Sequence, residues 1–408
     1  MKKMPNPILL KLAILFLALQ DVGAGAATPA LGAIAAAFPG VSPTVIQNVS
    51  TLPALTVVIF GLLYGVLVKV MRKRSIMWLA CILFLVGGLA PAWLNNIYAI
   101  LFFRALVGCG VGLLYPMAND LVVDFFEGNE RKKMIGWTFA VGMLGGIFFQ
   151  QIGGALSDIN WHYTFYAYFA AVLFFALPII FLPEPVKKEE VVKGTSQEKA
   201  KMPASQYVNC IINMIWCFFF ITIVTNAAMI IVGENIGTGA QIGTVFSMMT
   251  AAAFFGGFFF GAIHKALHGL SMFFCFWVVA IGLYVFYAGH SLGMCFLAMA
   301  IIGLGMGFTG SFFFNKSTDI VPFAASAMSL ALMTAFNGLG QFLSPFIMNP
   351  LVAALGLPAG RPSLLVAAIG LAIVGVFAYI FDRVTPKIAE SEKPNVAAQS
   401  QTGSQVQA

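Results

Sequence analysis

Apolar segments of roughly 20 residues recur along the whole 408-residue chain, separated by short polar or Pro/Gly-marked breaks. That length is what a helix rising about 1.5 Å per residue needs to cross a bilayer. Twelve such segments are read, at 9–36, 46–68, 76–93, 97–121, 134–156, 162–182, 207–232, 240–262, 271–289, 292–315, 325–350 and 362–382. With 60% hydrophobic residues, 9% charged residues and a mean hydropathy of +0.92, the chain holds more apolar surface than a water-soluble core hides. Runs such as "FYAYFAAVLFFALPIIFL" are apolar on every face, unlike the alternating strands of a membrane barrel. The expected fold class is an all-α integral membrane protein with 12 transmembrane helices.

Charge then sets the orientation. Lys2, Lys3, Lys11, the cluster Lys69, Arg72, Lys73 and Arg74, Arg131 to Lys133, the lysines of 187–201, Lys265, Arg383, Lys387 and Lys393 fall on one side of the spans. The opposite loops, among them "FPGVSPTVIQ", "SDINWH" and "VGENIGTG", carry no Lys or Arg, and only Arg361 breaks the pattern. A Lys/Arg bias of this kind marks the cytoplasmic side, so both termini are expected inside a cytoplasmic (inner) membrane crossed many times. The net charge of +7 therefore points to anionic lipid headgroups as neighbours and to no nucleic acid. The first apolar run follows Lys2 and Lys3 as a secretory signal would, but it continues through "ATPALGAIAAAF", so cleavage is not expected. All six cysteines fall inside spans without metal-ligand spacing, and no disulfide is expected.

The longest polar stretch between spans divides the chain. We expect a six-helix half at 1–183, a cytoplasmic linker at 184–206, a second six-helix half at 207–383 and a disordered tail at 384–408. Sliding the chain on itself by 195 residues pairs Gly108, Gly110 and Gly112 with Gly303, Gly305 and Gly307. The same shift pairs Asp124 with Asp319 and Gly145 with Gly340, and a shift of 196 pairs Gly65 with Gly261 and Lys69 with Lys265. Two halves with the same order of spans are the expected reading.

On these residues the chain resembles the major facilitator superfamily over essentially its whole length. That family's loop signature after span 2, roughly G-x-L-x-D-R-x-G-R-R, is matched by Gly65, Leu67, Lys73 and Arg74, with Lys69 in place of the Asp and Arg72 in place of the second Gly. Arg104, Gly108 and Gly112 resemble its span 4 signature, "WHYTF" from Trp161 its span 6, and "GQFLSP" from Gly340 to Pro345 its span 11. Phe149 and Gln150 stand where exporters of the family often carry Gly-Pro. The resemblance implies a secondary active transporter, working as a monomer, with a cavity between its halves near the membrane midplane.

Charges inside a bilayer are costly, so those present are functional candidates. Asp21 in span 1 and Arg104 in span 4 are the proton-coupling candidates; the rival reading is a permanent ion pair that only stabilises the bundle. Gln20, Gln150, Gln151, Trp216, Asn226, Asn337 and Gln341 are substrate-cavity candidates, with interhelical hydrogen bonding as the rival role. Lys69–Asp124 and Lys265–Asp319 are expected cytoplasmic clasps, unless the lysines only enforce topology. No nucleotide-binding loop, HExxH or catalytic constellation is found, so the chain is not read as an enzyme, and no cofactor or metal is implied. Transport would then draw on a gradient, most economically of protons. Two substrates stay open: export of an amphipathic or drug-like compound, or symport or exchange of a small organic anion or metabolite with Arg104 or Lys316 as its partner.

Overall fold

The computed structural model describes residues 7–20, 23–184, 202–267, 269–322 and 325–385. Asp21, residues 185–201 of the expected linker and residues 386–408 of the expected tail lie outside the described residues. All regular elements among the described residues are helical. The first set is α1 Pro7–Ala18, α2 Leu31–Ala37, α3 Pro43–Val70, α4 Lys73–Leu89, α5 Ile97–Phe125, α6 Gly128–Ser157 and α7 Phe169–Phe181. The second is α8 Ala204–Gly233, α9 Gly239–Phe258, α10 Phe260–Leu267, α11 Ser271–Ala288, α12 Leu292–Ile320, α13 Ser326–Ala354 and α14 Arg361–Val384. Among the described residues, eleven helices, counting the short 3-10 turns that extend α4 to Trp93 and begin α7 at Trp161, are long and apolar enough to span a membrane. The protein is a multi-pass, all-α membrane protein.

One expected span is not a single helix. The apolar segment 9–36 is delivered as α1, a 3-10 turn at Gly23–Ala27 and α2. The sequence there is "GAGAATP": two glycines lower helix propensity, and Pro29 has no N–H to donate. The expected span 240–262 is likewise interrupted just after Gly256 and Gly257, where α9 gives way to α10.

Close backbone approach explains the glycine repeat. A Cβ on Gly108 or Gly112 would stand 2.4 Å from the Pro53 carbonyl and 2.7 Å from the Val57 carbonyl of α3. On Gly303 or Gly307 it would stand 2.2 Å from the Met249 carbonyl and 1.8 Å from the Ala253 carbonyl of α9. The central glycines turn the other way, Gly110 against Ala80 of α4 and Gly305 against Val279 of α11. Gly145 and Gly340 follow suit, touching Leu19 beside α1 and Met214 in α8. Residues that align under one sequence shift thus make matching helix contacts, α5 on α3 and α4 in the first set, α12 on α9 and α11 in the second.

Gly108→Val should therefore lose about 3 kcal/mol of stability, because the Thr56 hydroxyl and, behind it, the rigid Pro53 backbone occupy the space. Gly136→Ala, where nothing stands within 4 Å, should be neutral. Thermal unfolding in detergent checks both; equal midpoints would show that α5 and α3 do not meet this closely.

Candidate functional site

The two helix sets meet along two seams. At the face opposite the basic loops, Asp158 at the end of α6 accepts hydrogen bonds from the first backbone amides of α9, Gly239 N and Ala240 N. Moving inward, Thr244 Oγ1 donates to Gln151 at 3.2 Å, Ser247 Oγ to the Ile147 carbonyl at 3.5 Å and Thr250 Oγ1 to Gln150 at 3.2 Å. The second seam joins α3 to α8 and α13. Asn349 Nδ2 donates to Thr44 at 2.9 Å and to Gln47 at 2.8 Å, and Gln47 Nε2 donates to Asn226 at 3.0 Å. Gly338 then lies against Ala54 and Val58 of α3. Past these points Leu144 and Phe255 on one seam, and Leu62, Val66 and Met328 on the other, are exposed. The contacts seen thus join the sets from one end to mid-depth, and the residues named beyond them toward the basic face are exposed. On the basic half, Tyr115, Asn119, Ile135, Thr138, Phe139 and Met143 line a mostly apolar hollow of about 260 Å³.

Arg104 is fully buried, and its donors go to the backbone and one hydroxyl. Nε donates to the Val49 carbonyl at 2.9 Å, Nη1 to the Tyr168 hydroxyl at 2.6 Å and Nη2 to the Ala24 carbonyl. Both carbonyls have reason to need a donor. Pro53 supplies no N–H to the carbonyl four residues before it, which is Val49, and Ala24 lies in the turn where α-helical pairing breaks off. Tyr168, missed by sequence reasoning, also donates to Ala24 at 3.4 Å. Asp21, the residue expected to face Arg104, lies outside the described residues.

The polar candidates separate into distinct surroundings. Gln150, Gln151 and Asn226 take part in the seams. Asn337 and Gln341 bond to each other at 2.6 Å, half-buried on α13. Trp216 is buried within the second set, its indole N–H on the Cys275 carbonyl at 2.9 Å and its ring stacked on Phe220. Gln20 is fully buried with no partner for either amide atom among the described residues. Thr44, Gln47 and Asn349 were not singled out from sequence, although amides and hydroxyls spaced 44, 47, 48 and 51 in an apolar helix signal one polar face.

At the basic face, Asp124 has Lys73 for its partner and not Lys69. Asp120 and Asp124 sit four apart on one face of α5, and the Lys73 ammonium at the start of α4 reaches both at 2.6 Å. Tyr64 donates to Asp120 at 2.5 Å. Lys69 is exposed on the last turn of α3. In the second set Lys265 is exposed too, and Asp319 lines a hollow of about 530 Å³ with His264, Lys316, Asp382 and Arg383, where Lys316 pairs with Asp382. Arg361, the exception to the charge pattern, is buried: it pairs with Glu234 and donates to the Phe286, Tyr287 and Gly289 carbonyls that end α11.

A family model described as Major Facilitator Superfamily matches residues 12–345. Among curated proteins, the multidrug transporter protein MdtP of Bacillus subtilis is 32% identical over 103 residues, 25% of this chain and 19% of that protein. The 4-hydroxybenzoate transporter PcaK of Acinetobacter baylyi is 26% identical over 167 residues, 38% of this chain and 35% of that protein. The chain thus aligns with well under half the length of these relatives. Among solved structures, a bacterial homologue of the human lysosomal transporter Spinster, inward-facing and unoccupied, superposes with a TM-score of 0.73 at 17% identity, covering 94% of this chain and 98% of that one. The xylose transporter XylE from E. coli, inward open, also gives 0.73, at 14% identity, covering 95% and 98%. At these identities the likeness shows the fold.

Arg104→Lys should cost about 2–4 kcal/mol, since one ammonium cannot serve three divergent acceptors and leaves a buried carbonyl unpaired. Tyr168→Phe, which loses one hydroxyl, should cost about 1 kcal/mol. Unfolding midpoints in detergent measure both; an unaltered Arg104→Lys protein would show that the clamp bears no load.

Proposed function

This chain belongs to the major facilitator superfamily, and we propose that it is a proton-coupled exporter of amphipathic or drug-like compounds working by alternating access. It is a multi-pass transporter of small molecules and not an enzyme. In the proposed reading the basic face is cytoplasmic, the sets α1–α7 and α8–α14 are the two halves that rock about a cavity between them, and contacts that join the sets at the opposite end are those of the inward-facing state.

The observation that carries the substrate class is the engagement of Arg104 and Lys316. An organic anion would need Arg104 or Lys316 as its counter-charge. Arg104 is bonded to the Val49 and Ala24 carbonyls and Tyr168, and Lys316 is held by Asp382. Taking either away from its partners would leave buried polar groups unpaired, so both favour a structural role. The hollow lined by Tyr115, Ile135, Phe139 and Met143 offers apolar and polarisable surface instead, with Asn119 and Thr138 for a polar end. MdtP, by its name a multidrug transporter, fits this reading; PcaK, a 4-hydroxybenzoate transporter, represents the alternative of proton symport of an organic anion.

Asp21 is the proposed proton carrier, on the sequence argument that it is the acidic residue in the body of the first span. In inverted vesicles with an acidic lumen, an amphipathic fluorescent cation should accumulate in the lumen and leak out when nigericin collapses the gradient. Asp21→Asn should abolish that accumulation by at least about tenfold while the protein remains folded in the membrane, because an amide cannot titrate. Accumulation of an aromatic carboxylate and not of the cation would overturn the substrate class; gradient-driven uptake by Asp21→Asn at the parent's rate would overturn the proton role.

A further inference from the structure

The seam between α6 and α9 ends in an arrangement that the transport reading leaves unexplained. A helix N-terminus exposes backbone N–H groups with no partner inside the helix and carries the positive end of its dipole. In α9 two of these are satisfied locally: the Gln241 side chain accepts from Thr238 N at 2.9 Å, and the Thr238 hydroxyl accepts from Gln241 N at 3.5 Å. The two between them, Gly239 N and Ala240 N, are satisfied from the other helix set, one by each oxygen of the Asp158 carboxylate. The fit demands bare backbone. A Cβ on Gly239 would stand 2.1 Å from Ser157 Oγ, one on Gly154 would stand 2.4 Å from the Gly239 carbonyl, and one on Gly243 would stand 2.6 Å from the Gln150 carbonyl. Lys11–Glu130, Lys73 with Asp120 and Asp124, Lys316–Asp382 and Arg361–Glu234 each lie within one set. Asp158, by contrast, is a charged side chain whose hydrogen bonds cross between sets.

We propose that Asp158 is the latch of the outer gate: its carboxylate, seated on the N-terminus of α9, holds the end opposite the basic face shut and so sets the balance between the two access states. The inference rests on alternating access as proposed above. When the seam parts, the carboxylate and both amides pass to water, so each bond is made in one state alone, and a group with different free energies in two states shifts their populations. The neutral amide cluster of Thr44, Gln47, Asn226 and Asn349 closes the other seam, without charge.

The test uses full-length protein in oriented vesicles. Ser247→Cys places a thiol in the α6–α9 seam, where Ser247 is 6% exposed, and a membrane-impermeant maleimide reports its opening from the outer side. Asn119→Cys, on the hollow of the basic half, reports from the other side in inverted vesicles. The six native cysteines are buried, and the parent protein gives their background. Adding Asp158→Ala should raise outer labelling roughly fivefold and lower inner labelling, with Asp158→Asn in between because it keeps an acceptor but loses the charge. Labelling that rises on both sides would mean a loosened fold and would overturn the latch. If Gln47→Ala raises outer labelling and Asp158→Ala does not, the seam opens but Asp158 is not its latch. If neither does, the halves do not part at this end, and the alternating-access reading falls with the inference.

Discussion

In hydrocarbon a backbone carbonyl or amide left without a partner costs several kcal/mol, and this constraint governs where the protein places its few charges. Arg104 is the central case. The first span is broken by a 3-10 turn and α3 contains a proline, so the Val49 carbonyl loses its α-helical donor and the Ala24 carbonyl lies in the turn, and one guanidinium with divergent donors serves both. The same logic recurs at helix ends. Arg361 caps the last carbonyls of α11, Arg131 donates to Phe126 and Val123 at the end of α5, and Arg74 donates to Ile179 in α7. Carboxylates do the converse, Glu184 accepting from Lys73 N and Arg74 N at the start of α4 and Asp158 from the start of α9.

A protein that uses its charges in this way keeps them where they are satisfied and leaves the seams mostly to neutral groups. Apart from Asp158, the hydrogen bonds seen along the seams come from amides, hydroxyls and carbonyls, which exchange a partner for water with little net change in free energy. Glycines let the backbones touch there, so the seams rest on short-range contact and not on large side chains held in pockets. This combination suits two states of similar stability, which an alternating carrier requires.

The basic loops follow a different rule. Lys69 and Lys265 are exposed at helix ends. Lys73 and Lys316 instead lie against carboxylates from neighbouring helices and tie helix ends together within one set, α4 to α5 and α12 to α14. Sequence spacing could not separate the two kinds. Lys69 precedes the turn at Met71 and Lys73 follows it, and the change in chain direction between them turns one toward solvent and the other toward α5.

The sequence by itself determined that the chain crosses a membrane repeatedly as helices, because length and uniform apolarity leave the backbone no other way to satisfy itself in lipid. It also carried the glycine pairs at matched spacing, whose meaning is close helix approach, and the asymmetry of Lys and Arg between the two faces. It marked Arg104, Gln150 and Asn226 as unusual for their depth. Only the tertiary structure decided what those residues touch. Arg104 meets two carbonyls some 55 and 80 residues away, one freed by a proline in α3 and one in the 3-10 turn that breaks the first span. Gln47 and Asn349, 302 residues apart, become partners through the packing of α3 on α13. Such contacts depend on the relative rotation of separate helices, which apolar periodicity constrains weakly when every face of a helix is apolar.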